Sequence, residues 1–220
     1  MSVRRITVLQ EAARRGQALD LVADVAAALQ AELLYLFVED IDLLHFAGLP
    51  FAREICVSSA ISRGFDLETM ERSLRSKAEE ARRAFAAAAG AATVRCTFRV
   101  ARGSVLEQLR AALADADLVV LTTKGAEPRT RPGLAAALSS ATLPSIVAPV
   151  LGRLARALAG DFDVLLVGAN PEAARKWEEE TRAMLAEGDL AERLRIRPVA
   201  GEDELARVLR ELRRPVSWLR

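Results

Sequence analysis

The side chains able to do chemistry gather in a few short stretches. Thr122-Thr123-Lys124-Gly125 opens a segment that runs through Arg129 and Arg131 to Pro132-Gly133. One lysine, two arginines and a glycine in a single loop suit an anion. Guanidinium forks bind phosphate in paired hydrogen bonds, and glycine lets backbone amides approach closely. Arg14 and Arg15 could join them, against the ordinary alternative that loop charges are simply solvated. Glu39, Asp40 and Asp42 offer the oxygen ligands that magnesium prefers, although three acids in a loop are more often solvated than metal-bound. His45 is the only histidine, which excludes mechanisms needing two imidazoles. The reading preferred for it is a partly buried ring in a loop packed over the core, ahead of a ligand contact or a pH switch. Cys56 and Cys96 are too few and too far apart for a zinc knuckle or a disulfide framework. Cys96 is expected to be an inert thiol buried in mid-strand.

Motifs of catalysis are missing. The sequence holds no GxSxG elbow, no Walker-type Gly-Lys-Ser/Thr and no GxGxxG after its first expected strand. Gly168-Ala169-Asn170-Pro171 reads as a strand-to-helix turn, with Asn170 as N-cap and Pro171 in the first helical position. No acid–base pair stands out, and the chain is expected not to be an enzyme. Basic residues (31) balance acidic ones (30), so nothing in the charge draws the protein to nucleic acid or to an anionic membrane. Aromatics at 5% are too sparse for a base-stacking platform. No apolar run approaches the ~18 residues needed to span a bilayer, and the first residues lack a signal-peptide core. A cytoplasmic protein is expected.

The elements that must position these residues alternate. With 220 residues, 51% of them apolar, there is chain enough for one large domain or for one and a half small ones. Strands are expected at Arg5–Gln10, Glu32–Val38, Val94–Val100, Asp117–Thr122 and Pro144–Val150. Between them fall helices within Ala12–Gln30, over Asp66–Ala89 stopping at Gly90, from Ser104 (an N-cap) through Ala114, and, shorter, at Leu134–Ala141. The alternation resumes with strands at Phe162–Gly168, Leu194–Val199 and Val216–Leu219 around helices at Glu172–Glu187 and Glu202–Arg213. Strands joined by helices of this length predict right-handed crossovers and a doubly wound parallel sheet. The expected division is an α/β domain over residues 1–150 and a smaller βαβαβ half over 151–220. VARGSVLEQLRAALADADLVVL from Val100 resembles VAGEDELARVLRELRRPVSWL from Val199, so the second half reads as a shortened, degenerate repeat, or simply as another βαβ unit of the same pattern. In a doubly wound sheet ligands bind beyond the carboxyl ends of the strands at the switch point. That rule selects the loops Gln10–Gln17, Glu39–Asp42 and Thr122–Gly133. Ile41–Phe51 is too apolar for an exposed loop. Its Leu43, Leu44, Phe46, Leu49 and Phe51 are expected to form a lid or an interface.

The order of elements in residues 1–150 is similar to that of the universal stress protein family. Asp117–Val120 followed by Thr122-Thr123-Lys124-Gly125 resembles that family's fourth strand and glycine loop. Leu138-Ser139-Ser140-Ala141-Thr142 resembles its Gly-Ser segment, and Leu143-Pro144-Ser145-Ile146-Val147 its proline-led fifth strand. The resemblance implies a five-stranded parallel sheet of the adenine-nucleotide α-hydrolase-like type, a homodimer, and a second, abbreviated copy over residues 151–220. Nucleotide-binding members carry Gly, two residues, Gly, nine residues, then Gly-Ser or Gly-Thr. Here Thr122 stands at the first glycine, Gly125 is kept, the spacing is longer, and the pair is Ser139-Ser140. Glu11 falls where the family usually has an aspartate, and Val38 matches its adenine-contacting valine.

The cofactor-binding residues implied are therefore Glu11, Val38, Thr122, Lys124, Gly125, Arg129, Arg131, Ser139 and Ser140, holding ATP, another adenine nucleotide or another small anion in a non-standard way. The expected function is a stress-related regulatory or binding role without catalysis. One alternative is a ligand-free scaffold acting by dimerisation or partner docking. The other is an α-hydrolase-type enzyme, which would need a Ser/Gly-rich phosphate loop that Gln10–Gln17 (QEAARRGQ) does not supply.

Overall fold

A computed structural model of the chain describes residues 3–12, 19–41, 44–45, 49, 53–55, 62–64, 67–123, 133–157, 162–185 and 194–213. The strands are β1 Arg5–Glu11, β2 Glu32–Asp40, β3 Arg53–Ile55, β4 Ser62–Gly64, β5 Cys96–Gly103, β6 Leu118–Thr123, β7 Gly133–Ser139, β8 Phe162–Val167 and β9 Leu194–Val199. The helices are α1 Leu19–Ala28, α2 Leu67–Ala92, α3 Val105–Asp115, α4 Pro144–Ala157, α5 Pro171–Met184 and α6 Glu202–Arg213. β3 and β4 form a small antiparallel pair of their own. The other strands make one sheet of seven, in the order β5-β2-β1-β6-β7-β8-β9.

This is a mixed α/β fold with a mostly parallel sheet, larger than the expected five strands and not all parallel. β5, β2, β1 and β6 run in one direction. β7 turns back against β6, Val119 opposite Ala137 and Thr123 opposite Gly133. β8 and β9 then follow β7 in parallel. The strands after residue 150 thus extend the first sheet. α4 runs across the expected junction at 150/151, and the change of strand direction falls between β6 and β7.

Alternation along each strand supplies two cores. Ile6 and Val8 of β1, Leu33, Tyr35 and Phe37 of β2 and their counterparts on β6 to β9 face α1, α2, α4 and α5. Leu9, Leu36, Val38, Val119 and Leu121 face the other way, onto α3 and α6. The period of two in strands puts successive residues into different layers, so all the inner strands read as near-continuous apolar runs. β1–α1–β2–α2–β5–α3 and β7–α4–β8–α5–β9–α6 pass through the same succession, with two helices on the first face and the third on the second.

Two expected elements exchange type. Leu134–Ala141, expected as a helix, is mostly strand β7, and Pro144–Val150, expected as a strand, begins helix α4. Leu134 through Leu138 are all buried between β6 and β8, so sheet burial on both faces overrides the helical preference of three alanines. In α4, Pro144 is the first helical residue, where its missing N–H costs nothing, and Pro149 forfeits a single bond early in the ladder. Short apolar runs do not distinguish strand from helix by periodicity.

The caps follow expectation at two starts and differ at one end. Ser104 accepts from the Glu107 N–H at 3.1 Å while the Glu107 carboxylate accepts from the Ser104 N–H at 3.4 Å, closing a capping box on α3. Asn170 Oδ1 accepts from the Ala173 N–H at 2.8 Å, and Pro171 opens α5. The long helix α2, however, passes through Gly90 and stops at Thr93, whose φ of 56° is left-handed. Val94 N–H reaches the Ala89 carbonyl at 3.1 Å and Thr93 N–H the Gly90 carbonyl at 3.2 Å, a glycine-type C-terminal turn built without glycine at its left-handed position.

Candidate functional site

β1 lies between β2 and β6, and the chain winds away from it in both directions, so the carboxyl ends of β1, β2 and β6 mark the reversal point of the sheet. Gln10 and Glu11 end β1, Val38 to Asp40 end β2, Arg102 and Gly103 end β5, and Thr122 and Thr123 end β6. Glu11 pairs with Val38 in register, and the Ala12 N–H donates to the Val38 carbonyl at 2.9 Å. The Val38 side chain is fully buried on the α3 side. Gly133 stands opposite Thr123, so residues 124–132 leave and return at this same edge. Lys124, Gly125, Arg129 and Arg131 belong to that connection, and they lie outside the described residues, as do Arg14 and Arg15.

Ser139 and Ser140 are elsewhere. Because β7 runs antiparallel to β6, Ser139 lies two residues beyond Ala137, which pairs with Val119 near the start of β6. Thr122 pairs with Leu134. Five residues of strand therefore separate the serine from that edge, about 17 Å at ~3.4 Å per residue. The serines build the turn into α4. Ser139 Oγ accepts from the Ala141 N–H at 3.3 Å, and the Ser140 N–H donates to the Val167 carbonyl at 2.8 Å. Gly168, at a φ of +84°, passes so near that a Cβ there would meet Ser140 Oγ at 3.0 Å. The residues that the resemblance assigns to a nucleotide do not surround one place. Glu11, Val38 and Thr122 share an edge, and the serine pair sits at the opposite one.

Two buried polar contacts underlie the reversal-point edge. Gln10 continues the inward parity of Ile6 and Val8, and its side-chain carbonyl accepts from the Tyr35 hydroxyl. Burial raises the Tyr35 pKa well above the ordinary 10.0. The ring packs against Phe98, with centroids 5.3 Å apart, and against Phe85, at 5.0 Å. Glu39 continues the parity of Leu33, Tyr35 and Phe37, and its side chain is only 5% exposed. Arg102 Nε donates to it at 2.7 Å, and Glu71 of α2 stands 3.9 Å from the same guanidinium. The Glu39 hydrogen bond, then its charge, raise the Arg102 pKa further.

Glu39 is thus a nearly buried strand residue committed to an arginine, where a solvated loop carboxylate, with magnesium as the alternative, was expected. No group of three ligating side chains occurs among the described residues. The Asp40 side chain and Asp42 lie outside them. Sequence reasoning missed both contacts, although the signal was present in polar residues standing at buried parity.

Other expectations change as well. His45 is exposed where a partly buried ring was expected, while its neighbour Leu44 joins the core. Leu49 is exposed, and Leu43, Phe46 and Phe51 lie outside the described residues, so the lid or interface reading of this stretch falls largely outside them too. Cys96, expected to be buried, is an exposed free thiol because β5 is an edge strand, and Cys56 lies outside the described residues. A shallow groove of about 320 Å³ between α1 and α4, lined by Leu21, Asp24, Val25, Arg153, Arg156 and Ala157, belongs to the helical layer. No helix among the described residues is long and apolar enough to cross a membrane.

Comparison with known proteins gives little sequence support for a family. No family model matches the chain, and no curated protein matches it. Among solved structures, the chain is similar to a universal stress protein from Archaeoglobus fulgidus DSM 4304, at 12% identity and a TM-score of 0.36, over 93% of this chain and 81% of that one.

Proposed function

We propose that the protein is a non-enzymatic regulatory binding protein that takes a nucleotide or another small anion at the reversal-point edge and works as a homodimer. One observation carries the reading. The nine-residue connection bearing Lys124, Gly125, Arg129 and Arg131 is anchored at both ends, Thr123 and Gly133, where β1 and β6 part. Those ends lie where open α/β sheets receive ligands, and the sequence between them carries the lysine and arginines that suit an anion. The stress-related role is taken from the resemblance of Thr122-Thr123-Lys124-Gly125 and its neighbours to the universal stress family. The anion is held without Ser139 and Ser140. Calorimetric titration of the nucleotide-stripped protein with Mg-ATP, AMP and cyclic nucleotides tests it. Saturable heat that disappears in Gly125→Trp is expected. Absence of heat from a folded protein at high ligand concentration would reject the ligand part of the reading.

A scaffold acting by association alone is the second reading. It is favoured by β5, which pairs only with β2 among the described residues and is largely exposed on both faces.

A further inference from the structure

The two edges of the seven-stranded sheet are built differently. β9 carries Pro198 in its run, which removes a backbone donor and blunts the edge, and Arg195 and Arg197 precede it in the strand. β5 is eight residues long, holds no proline, and keeps uninterrupted register with β2 from Leu33–Cys96 to Asp40–Gly103. It lacks the devices by which edge strands usually refuse a partner, apart from its charges. The Leu33 N–H donates to the Arg95 carbonyl at 2.9 Å. Main-chain direction alternates along a strand, so Thr97, Arg99 and Ala101 turn their groups to β2, and Cys96, Phe98, Val100 and Arg102 turn theirs outward. Val100 is 49% exposed, and Cys96, four residues earlier on the same side of the strand, is exposed as well.

From this we infer that β5 is the dimer interface, pairing antiparallel with β5 of a second copy in the register that sets Phe98 opposite itself. In that register Cys96 lies opposite Val100 and Thr97 opposite Arg99, and no arginine directly faces an arginine. A register one step further would oppose Arg99 to Arg99, a like-charge pair in direct apposition. The outward groups of Cys96, Phe98 and Val100 then exchange roughly six main-chain hydrogen bonds between the copies, two for each hydrogen-bonded pair. Pairing of β5 with β9 would meet Pro198, which has no N–H to give. The contact is therefore isologous and closes at two copies instead of propagating. The inference rests on the homodimer reading above and names its surface.

Sedimentation of the full chain over a range of concentrations, with circular dichroism as a check on folding, tests it. Val100→Pro removes an outward N–H and leaves the β2 ladder intact. It is expected to weaken association by about tenfold or more in a folded chain, while Val100→Thr leaves it unchanged. In a chain with Cys56→Ser and Cys96→Ser, Thr97→Cys together with Arg99→Cys is expected to give a disulfide-linked dimer on mild oxidation, and Thr97→Cys alone is not. A Val100→Pro chain that is folded and still dimeric would overturn the interface while leaving the homodimer reading standing. A wild-type chain that is monomeric at every concentration would overturn both. Cross-linking by Arg99→Cys alone would overturn the register.

Discussion

Tyr35 is the only tyrosine of the chain, so its titration can be followed directly. Its phenol is fully buried, donates to Gln10, and has its pKa raised by burial above the ordinary 10.0. In the unfolded chain the phenol ionises at about 10. Above that pH the unfolded state loses a proton that the folded state keeps, and stability falls as pH rises toward the folded pKa. The loss from this group is about 1.4 kcal/mol per pH unit, which for a chain of this size lowers Tm by roughly 3–6 °C per unit. Tyr35→Phe removes the donor to Gln10 and costs about 1–3 kcal/mol near neutrality. It also removes the alkaline term, so the stability curves of the two proteins should converge between about pH 11 and 12. Thermal melts of both proteins from neutral to alkaline pH, with phenolate absorbance recorded in parallel, measure this. A phenolate signal with its midpoint near 10 in a chain still folded by circular dichroism would refute the burial of Tyr35 against Gln10.

Arg102→Ala strands the nearly buried Glu39 carboxylate. Because Arg102 is itself 56% exposed and water can partly replace it, a loss of about 1–2 kcal/mol is expected in denaturant unfolding, largely recovered by adding Glu39→Gln. Thr93→Gly relieves the left-handed residue at the end of α2, where φ is 56°, and should stabilise the chain by about 1 kcal/mol, read as a higher denaturant midpoint with unchanged slope.

Much of the first winding was legible because its signals are local. Val8 and Leu9 or Tyr35 and Leu36 feed opposite layers, which makes β1 and β2 continuous apolar runs. The Ser104 and Asn170 caps are decided by side chains reaching three residues along the chain. What escaped was non-local. Whether LAAALS becomes helix or strand depends on β6 and β8 being there to bury both its faces. Cys96 read as buried because edge position is a property of strand order, not of the strand. The site was split for the same reason. Ser139-Ser140 follows Thr122 and Gly125 in the order of the family's signature, at a longer spacing, yet the return of β7 against β6 carries the serines to the other end of the sheet. Gln10 and Glu39 were readable in part, since each is a polar residue continuing a buried parity, but their partners Tyr35 and Arg102 are supplied by neighbouring strands.

The central claim is that an anion binds where β1 and β6 part and that the serine pair takes no share in it. Parallel calorimetric titrations of the wild type, Gly125→Trp, and a Ser139→Ala/Ser140→Ala chain with Mg-ATP decide it. The result expected is equal affinity in the wild type and the double-serine variant, with binding lost in Gly125→Trp. Binding that survives Gly125→Trp and fails without the serines would contradict the account.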